Sequence, residues 1–256
     1  MPDFNQKNRK ILWTVIEEDK ALSHLDPQHF LTKWERDYWS RLYVEKRSRE
    51  WLLGRFAAKS VICSLLDFDT EKDCLERLCI NRREDGSPVP LWDGDVLDNV
   101  CISISHRSGA AAAAASRGTG LGIDLESIEP RSNLFKEQFL TRREQELVSS
   151  NILDIGKESQ SVMANLIWCA KESVLKALRL GLTVDTRKIE CLPCTDLYTG
   201  PPLGNGPSLG WRSIEVNIDP RLGDRHARAW WTKWANRIAC IAVLSKGNHQ
   251  LLRLKL

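Results

Sequence analysis

The stretch LIWCAKESVLKALRLGL, residues 166–182, decides the fold. Its apolar positions recur at helical spacing and run into Gly181, a glycine placed to cap a helix end, so the spacing predicts a helix over 166–180. Beyond it lie the Pro- and Gly-rich residues 193–207, read as a long loop. Three alternating stretches follow, WRSIEVNID (211–219), ARAWWTKW (227–234) and RIACIAVLS (237–245). Alternation in successive short segments predicts an antiparallel meander. The same order stands earlier in the chain, where WLLGRFAAKSVICSLL (51–66) precedes the alternating VCISIS (100–105). A long helix set before strands, twice over, predicts an α+β protein of two similar halves, a pseudo-dimer with antiparallel sheets. The halves are 1–118 and 119–256, with a ligand cleft between them.

Working outward, ILWTVIEE (11–18) alternates as a strand, and DPQHFLTKWERDYWSRLY (26–43) reads as a helix. In the helix over 47–66, Arg55 and Lys59 lie four apart on one side. The six alanines 110–115 favour helix by intrinsic propensity. They stand between RSG and SRGTG, a short step from another strand, and the arm of a β-hairpin is the reading adopted. IDLE (123–126) is a short strand. A polar helix begins near Leu140 in LTRREQELVSS, with Thr141 as N-cap and Glu144 at capping-box spacing.

With 256 residues, 42% of them hydrophobic, the chain can bury a sizeable core. Its 37 Lys and Arg nearly balance 34 Asp and Glu, and a net charge of +3 gives no nucleic-acid signal. No run approaches the roughly 20 apolar residues that span a bilayer. The first residues, MPDFNQKNRK, lack the apolar stretch of a secretory signal, and the 8 cysteines follow no regular frame. Free thiols in a reducing cytoplasm are expected. The CLPC at 191–194 has no second pair at zinc-ribbon spacing and receives no metal role. Basic residues crowd into RSREWLLGRFAAK (47–59) and NRR (81–83). They form either a solvated helix face or a patch for a phosphorylated ligand or acidic protein partner.

Three places carry chemistry. On a strand, Asp124 and Glu126 point to one face while Ile123 and Leu125 point into the core. Such a pair either marks a solvated face or repels until a divalent cation binds, and hard oxygen donors suit Mg²⁺. Along the 166–180 helix, Trp168, Glu172 and Lys176 lie at i, i+4 and i+8 with Lys171 beside them. Glu172 and Lys176 form a surface pair or, with a large ring in the same row, part of a cleft wall. His106, at a strand end in SISHRSG, is either incidental or, with Ser105, a phosphate contact.

Taken in order and spacing, SISHRSG (103–109), GIDLE (122–126) and WCAKESVLKAL (168–178) resemble the three conserved segments of the phosphopantetheinyl transferase superfamily. REWLLGRFAAK (49–59) and the turn Gly86-Ser87-Pro88 also resemble family segments, so the likeness runs from about residue 36 to 180. The larger, two-halved, broad-specificity branch fits the length best.

This resemblance implies Mg²⁺-dependent transfer of the 4′-phosphopantetheine arm of coenzyme A to a serine of an apo acyl or peptidyl carrier protein, releasing adenosine 3′,5′-bisphosphate. Asp124, Glu126 and Glu172 would bind the metal. Glu172 would also act as general base, and Lys176 would offset charge on the diphosphate, with Lys171 a weaker candidate. Ser105, His106, Arg82, Arg36 and Arg55 would contact coenzyme A. Ser87 departs from the family, whose turn commonly carries lysine, and Arg82 or Arg83 would compensate. The resemblance further implies a cytoplasmic monomer. The competing reading is a non-catalytic module that binds carrier proteins or coenzyme A, to which the 10 tryptophans lend some support. No GxxxxGK[ST] or GxGxxG occurs, which disfavours the common nucleotide-binding folds.

Overall fold

The structure, a computed structural model, describes residues 10–21, 26–68, 72–150, 159–194, 210–245 and 249–254. Two compact units divide the chain, the first comprising Met1–Leu121 with Gly247–Leu256 and the second Gly122–Lys246. The expected boundary near residue 118 lies close to this one. The last residues, however, belong with the first unit.

In the first unit, strand β1 (Lys10–Glu17) is followed by helices α1 (Lys33–Trp39) and α2 (Glu45–Leu65). Strands β2 (Leu78–Arg82), β3 (Pro88–Trp92) and the short β4 (Asp95–Val96) form one small sheet. Strands β5 (Val100–Arg107) and β6 (Ala110–Arg117) are an antiparallel hairpin, with Arg107 opposite Ala110. Ser108 and Gly109 turn it, both at positive φ (49° and 72°), as a tight hairpin turn of matching twist requires. The alanine run is therefore strand, as expected. All six alanines are buried, and Ala111, Ala113 and Ala115 join the core beneath α2, where a longer side chain would push the helix from the sheet.

Within the second unit, β7 (Leu121–Ser127) leads to helices α3 (Asn133–Phe139), α4 (Arg142–Ser149) and α5 (Ser159–Leu178). Strands β8 (Ile189–Pro193), β9 (Arg212–Ile218), β10 (Arg228–Trp234) and β11 (Arg237–Val243) complete a sheet of order β7-β11-β10-β9-β8. The predicted meander over 211–245 is present as β9, β10 and β11, antiparallel in register. The expected loop over 193–207 falls largely outside the described residues. Strand β12 (Gln250–Arg253) pairs in parallel with the outer side of β1, giving the order β12-β1-β6-β5 in the first unit.

Each unit, taken by itself, contains the same buried motif. In the first, Thr32 caps α1 and Glu35 returns a bond to its backbone. The Glu35 carboxylate also accepts from Ile80 N at 3.1 Å and meets Lys59 Nζ at 2.5 Å. Lys59 donates further to Phe30 O and Leu75 O, which uses all three of its donors. In the second, Thr141 and Glu144 form the capping box that the sequence predicts. Glu144 accepts from Cys191 N at 2.7 Å and meets Lys171 Nζ at 2.8 Å, and Lys171 donates to Thr186 O and Ile189 O. Both lysines are wholly buried, and only such complete pairing makes a buried charge tolerable.

Two local expectations are corrected. Residues 26–43 do not form one helix, because Asp26 caps a 3₁₀ turn (Pro27–His29) and Thr32 then caps α1, and two caps cannot lie inside one helix. The end of α5 is turned by Arg179 at φ 57° rather than by Gly181, with Leu180 N donating to Leu175 O. Among the described residues no helix is long and apolar enough to cross a membrane. Cys191 is buried and Cys194 exposed, both as free thiols.

Candidate active site

The site starts from a contact of backbones. A Cβ built on Gly122 would lie 1.9 Å from Ser173 O, 2.8 Å from Ala177 N and 2.9 Å from Lys176 Cβ, so α5 rests directly on the first turn-free residues of β7. This approach runs the row Trp168, Glu172, Lys176 alongside the two acids of the strand. Trp168 Nε1 donates to Glu126 Oε1 at 3.1 Å. At the other end, Lys176 Nζ donates to Asp124 Oδ1 at 2.7 Å and to Ile123 O at 3.1 Å.

Strand β7 is buried on both sides, and Asp124 and Glu126 are buried with it. The solvated-face reading of IDLE does not hold. Glu172 stands between the two ends of the row. Its Oε1 is buried with no hydrogen-bond partner among the described residues. Burial pushes its carboxyl up to about 7, Asp124 and Glu126 push the same way, and Lys176 opposes them.

Sequence reasoning missed the other half of this setting. Arg131 Nη2 lies 3.0 Å from Glu126 Oε2, and Arg131 Nε donates to Asn165 Oδ1 at 2.6 Å. Asn165 is itself fixed by donating to Glu129 O and Ser161 O. The Arg131 guanidinium covers the Phe135 ring at 4.7 Å, and Phe135 and Phe139 meet Trp168 edge-on, each at 5.1 Å. Aromatic packing thus holds the indole while Arg131 holds the carboxylate to which it donates. Among the described residues no group of three or more His, Cys, Asp or Glu side chains is gathered to hold a metal ion. Asp124 faces Lys176 and Glu126 faces Arg131 instead.

Lys171 requires a correction. It is 0% exposed and spends its donors on Glu144, Thr186 and Ile189, so it supports the fold and offers nothing to a ligand. Lys59 and Arg55 are likewise buried, so the solvated-face reading of the basic stretch 47–59 holds only for its start, where Arg47 and Arg49 are exposed.

In the first unit, Ser105 is buried near the end of β5 and His106 beside it is exposed. Arg36 Nη1 donates to Leu31 O at 2.5 Å. The Arg55 side chain is only 10% exposed, with Nε 3.6 Å from Glu35 Oε1. Its guanidinium stacks at 4.6 Å on Trp51, and Nε is buried without a hydrogen-bond partner. Burial lowers the pKa of Arg55; Glu35 opposes this, and the nearby positive charge of Arg82 adds to it. Arg82 is exposed at the end of β2. Ser87 serves its own turn, its N and Oγ both donating to Asp85 Oδ1 at 2.8 and 2.6 Å.

Residues 120–233 match the family model described as the 4′-phosphopantetheinyl transferase superfamily. Among solved structures the chain is similar to a holo-(acyl-carrier-protein) synthase from Bacillus anthracis str. Ames in complex with CoA (3′,5′-ADP). That likeness has 25% identity and a TM-score of 0.37 over 42% of this chain and 93% of the other. The holo-[acyl-carrier-protein] synthase of Thermotoga maritima is similar at 22% identity and a TM-score of 0.34, over 50% of this chain and 64% of that one. A Chronobacterium ammoniagenes ACPS–CoA complex is similar at 17% identity and a TM-score of 0.35, over 52% and 98%. No curated protein sequence matches the chain. The matched residues 120–233 hold the acids of β7 and the row Trp168–Glu172–Lys176, so the likeness to the 4′-phosphopantetheinyl transferase superfamily falls on the candidate site itself.

Proposed function

We propose that the protein transfers the 4′-phosphopantetheine group of coenzyme A to a serine of an apo carrier protein, as a member of the two-halved, broad-specificity branch. The observation that carries this reading is Glu172, a carboxylate with an unpartnered buried oxygen that feels the charges of Asp124, Lys176 and Glu126 together.

Three carboxylates, one of them pushed up by burial and further by the charges of the other two, have the charge and the hard oxygen donors that suit Mg²⁺. Asp124, Glu126 and Glu172 would hold it, Glu126 with both oxygens already accepting hydrogen bonds from Trp168 and Arg131. Bound there, the ion supplies neutralisation of the diphosphate charge.

The residues themselves divide the remaining work. Glu172 takes the proton of the carrier serine, directly or through one water. The serine oxygen forms a bond to the phosphorus that carries the pantetheine arm. The bond from that phosphorus to the bridging oxygen breaks, and adenosine 3′,5′-bisphosphate leaves. The Lys176 ammonium offsets charge on the leaving group. From the first unit, Ser105, His106, Arg36, Arg55 and Arg82 contact coenzyme A. The buried Nε of Arg55, beside a second arginine, supports an anionic ligand there.

Incubation with Mg²⁺, coenzyme A and an apo carrier protein is expected to add the phosphopantetheine mass to the carrier. Folded protein that modifies none of several carriers, yet binds them or coenzyme A, would be a binding module instead. Asp124→Ala is expected to abolish transfer without unfolding the chain.

A further inference from the structure

The acids of β7 are neutralised by two cations of very different kinds. Arg131 is braced: its Nε is tied to Asn165, Nη2 to Glu126, its face to Phe135, and Asn165 is pinned to two backbone carbonyls. Lys176 is held only at its tip, by Asp124 Oδ1 and Ile123 O, at the end of a flexible four-carbon stem that is 28% exposed. Its Cα is set by the close packing of α5 on the β7 backbone at Gly122. Its ammonium can leave by rotation of the stem alone.

We propose that Lys176 is the resident counter-cation of Asp124 and that a divalent ion and this ammonium exclude one another there. The inference rests on the metal site proposed above. Asp124 is 7% exposed, and a carboxylate so buried is costly without a cation. In this structure the ammonium serves Asp124 and Ile123 but not Glu172, whose Oε1 goes unpartnered. A divalent ion has the charge and coordination number to take both carboxylates at once. Exchange therefore gains the oxygen that lysine leaves unused. Glu126 stays where Arg131 and Trp168 hold it.

Two consequences follow. Metal affinity is a difference, set by what the ion gains minus what Lys176 loses. The displaced ammonium is then free for an anion, so metal entry and anion binding favour each other, and each must raise the other's affinity by the same factor.

The test titrates the full-length protein with Mn²⁺, following free ion by its paramagnetic resonance signal, in wild type and in Lys176→Met, which keeps the apolar stem. The variant is expected to bind about tenfold more tightly, the worth of one charge-assisted hydrogen bond, although its transfer activity falls. In wild type, acetylation of Lys176 by acetic anhydride, read by mass spectrometry, is expected to speed up when Mg²⁺ is added. Wild type that binds Mn²⁺ no more weakly than Lys176→Met, with acetylation unmoved by Mg²⁺, overturns the exchange and leaves the metal site standing. Absence of Mn²⁺ binding to either protein overturns both. The wild-type labelling decides even where the variant does not fold.

Discussion

Gly122 and Ser173 touch main chain to main chain: a Cβ on the glycine would stand 1.9 Å from the serine carbonyl oxygen. No side chain can yield at that point. Gly122→Ala is expected to destabilise by at least about 1–3 kcal/mol, the usual cost of overpacking, and to reduce transfer in the molecules that fold, because Glu172 and Lys176 move with the helix. Gly54→Ala, whose added carbon meets only the Ile104 side chain at 3.2 Å, is expected to cost less. Urea unfolding of the two variants side by side checks the order.

The Lys171–Glu144 pair is buried and fully satisfied. Lys171→Met strands the carboxylate and is expected to cost about 3–5 kcal/mol, as breaking a buried pair does. In the fraction that stays folded, the KM for coenzyme A is expected to match wild type. A raised KM with stability unchanged would restore Lys171 to the ligand site.

Glu172 predicts a pH dependence of stability in metal-free protein. Its folded carboxyl is raised from 4.5 to about 7, so the folded state holds this proton more tightly than the unfolded chain. The stabilising contribution is present in full below about pH 4.5, declines as pH rises toward 7, and is gone above. Glu172→Gln removes this slope. Denaturation in chelator at pH 5 and pH 8 is expected to show the variant gaining on wild type at the higher pH.

Arg131 closes the Glu126 end of the site. Arg131→Met takes the guanidinium from a nearly buried carboxylate and is expected to cost about 2 kcal/mol. Transfer is expected to fall at least tenfold. Arg131→Lys keeps the charge but cannot bond Asn165 and Glu126 from one rigid fork, so it should recover stability better than activity. Thermal melts and carrier modification, run together, separate the two.

Much of this was legible because the signals were local. The hairpin over 100–117 could be read despite its alanines, since the flanking turn residues outweighed propensity. The Thr141–Glu144 cap spans three residues, and the row Trp168, Glu172, Lys176 follows from the pitch of a helix. What escaped reading depends on partners far along the chain. Lys59 reads as part of a basic helix face and Lys171 as a weaker ligand contact until Glu35 and Glu144 arrive from other helices. Arg131, just past Pro130, lies in a stretch with no periodicity to mark it, and only folding sets it against Glu126 and Asn165. In the sequence Asp124 and Glu126 read as a pair that shares one ion, and nothing there announces that Lys176 and Arg131 each meet one of them.

Strand β12 has a consequence for synthesis. Leu254 N donates to Trp13 O and Thr14 Oγ1 donates to Leu254 O, so the edge of the first unit's sheet is finished by residues made after the whole second unit. On a ribosome, β1 must wait with its outer backbone groups unpaired, a hazard for any strand that invites pairing with another chain. The nascent protein thus carries an open sheet edge at β1 throughout the making of the second unit, and that edge stays exposed to aggregation until β12 has been made.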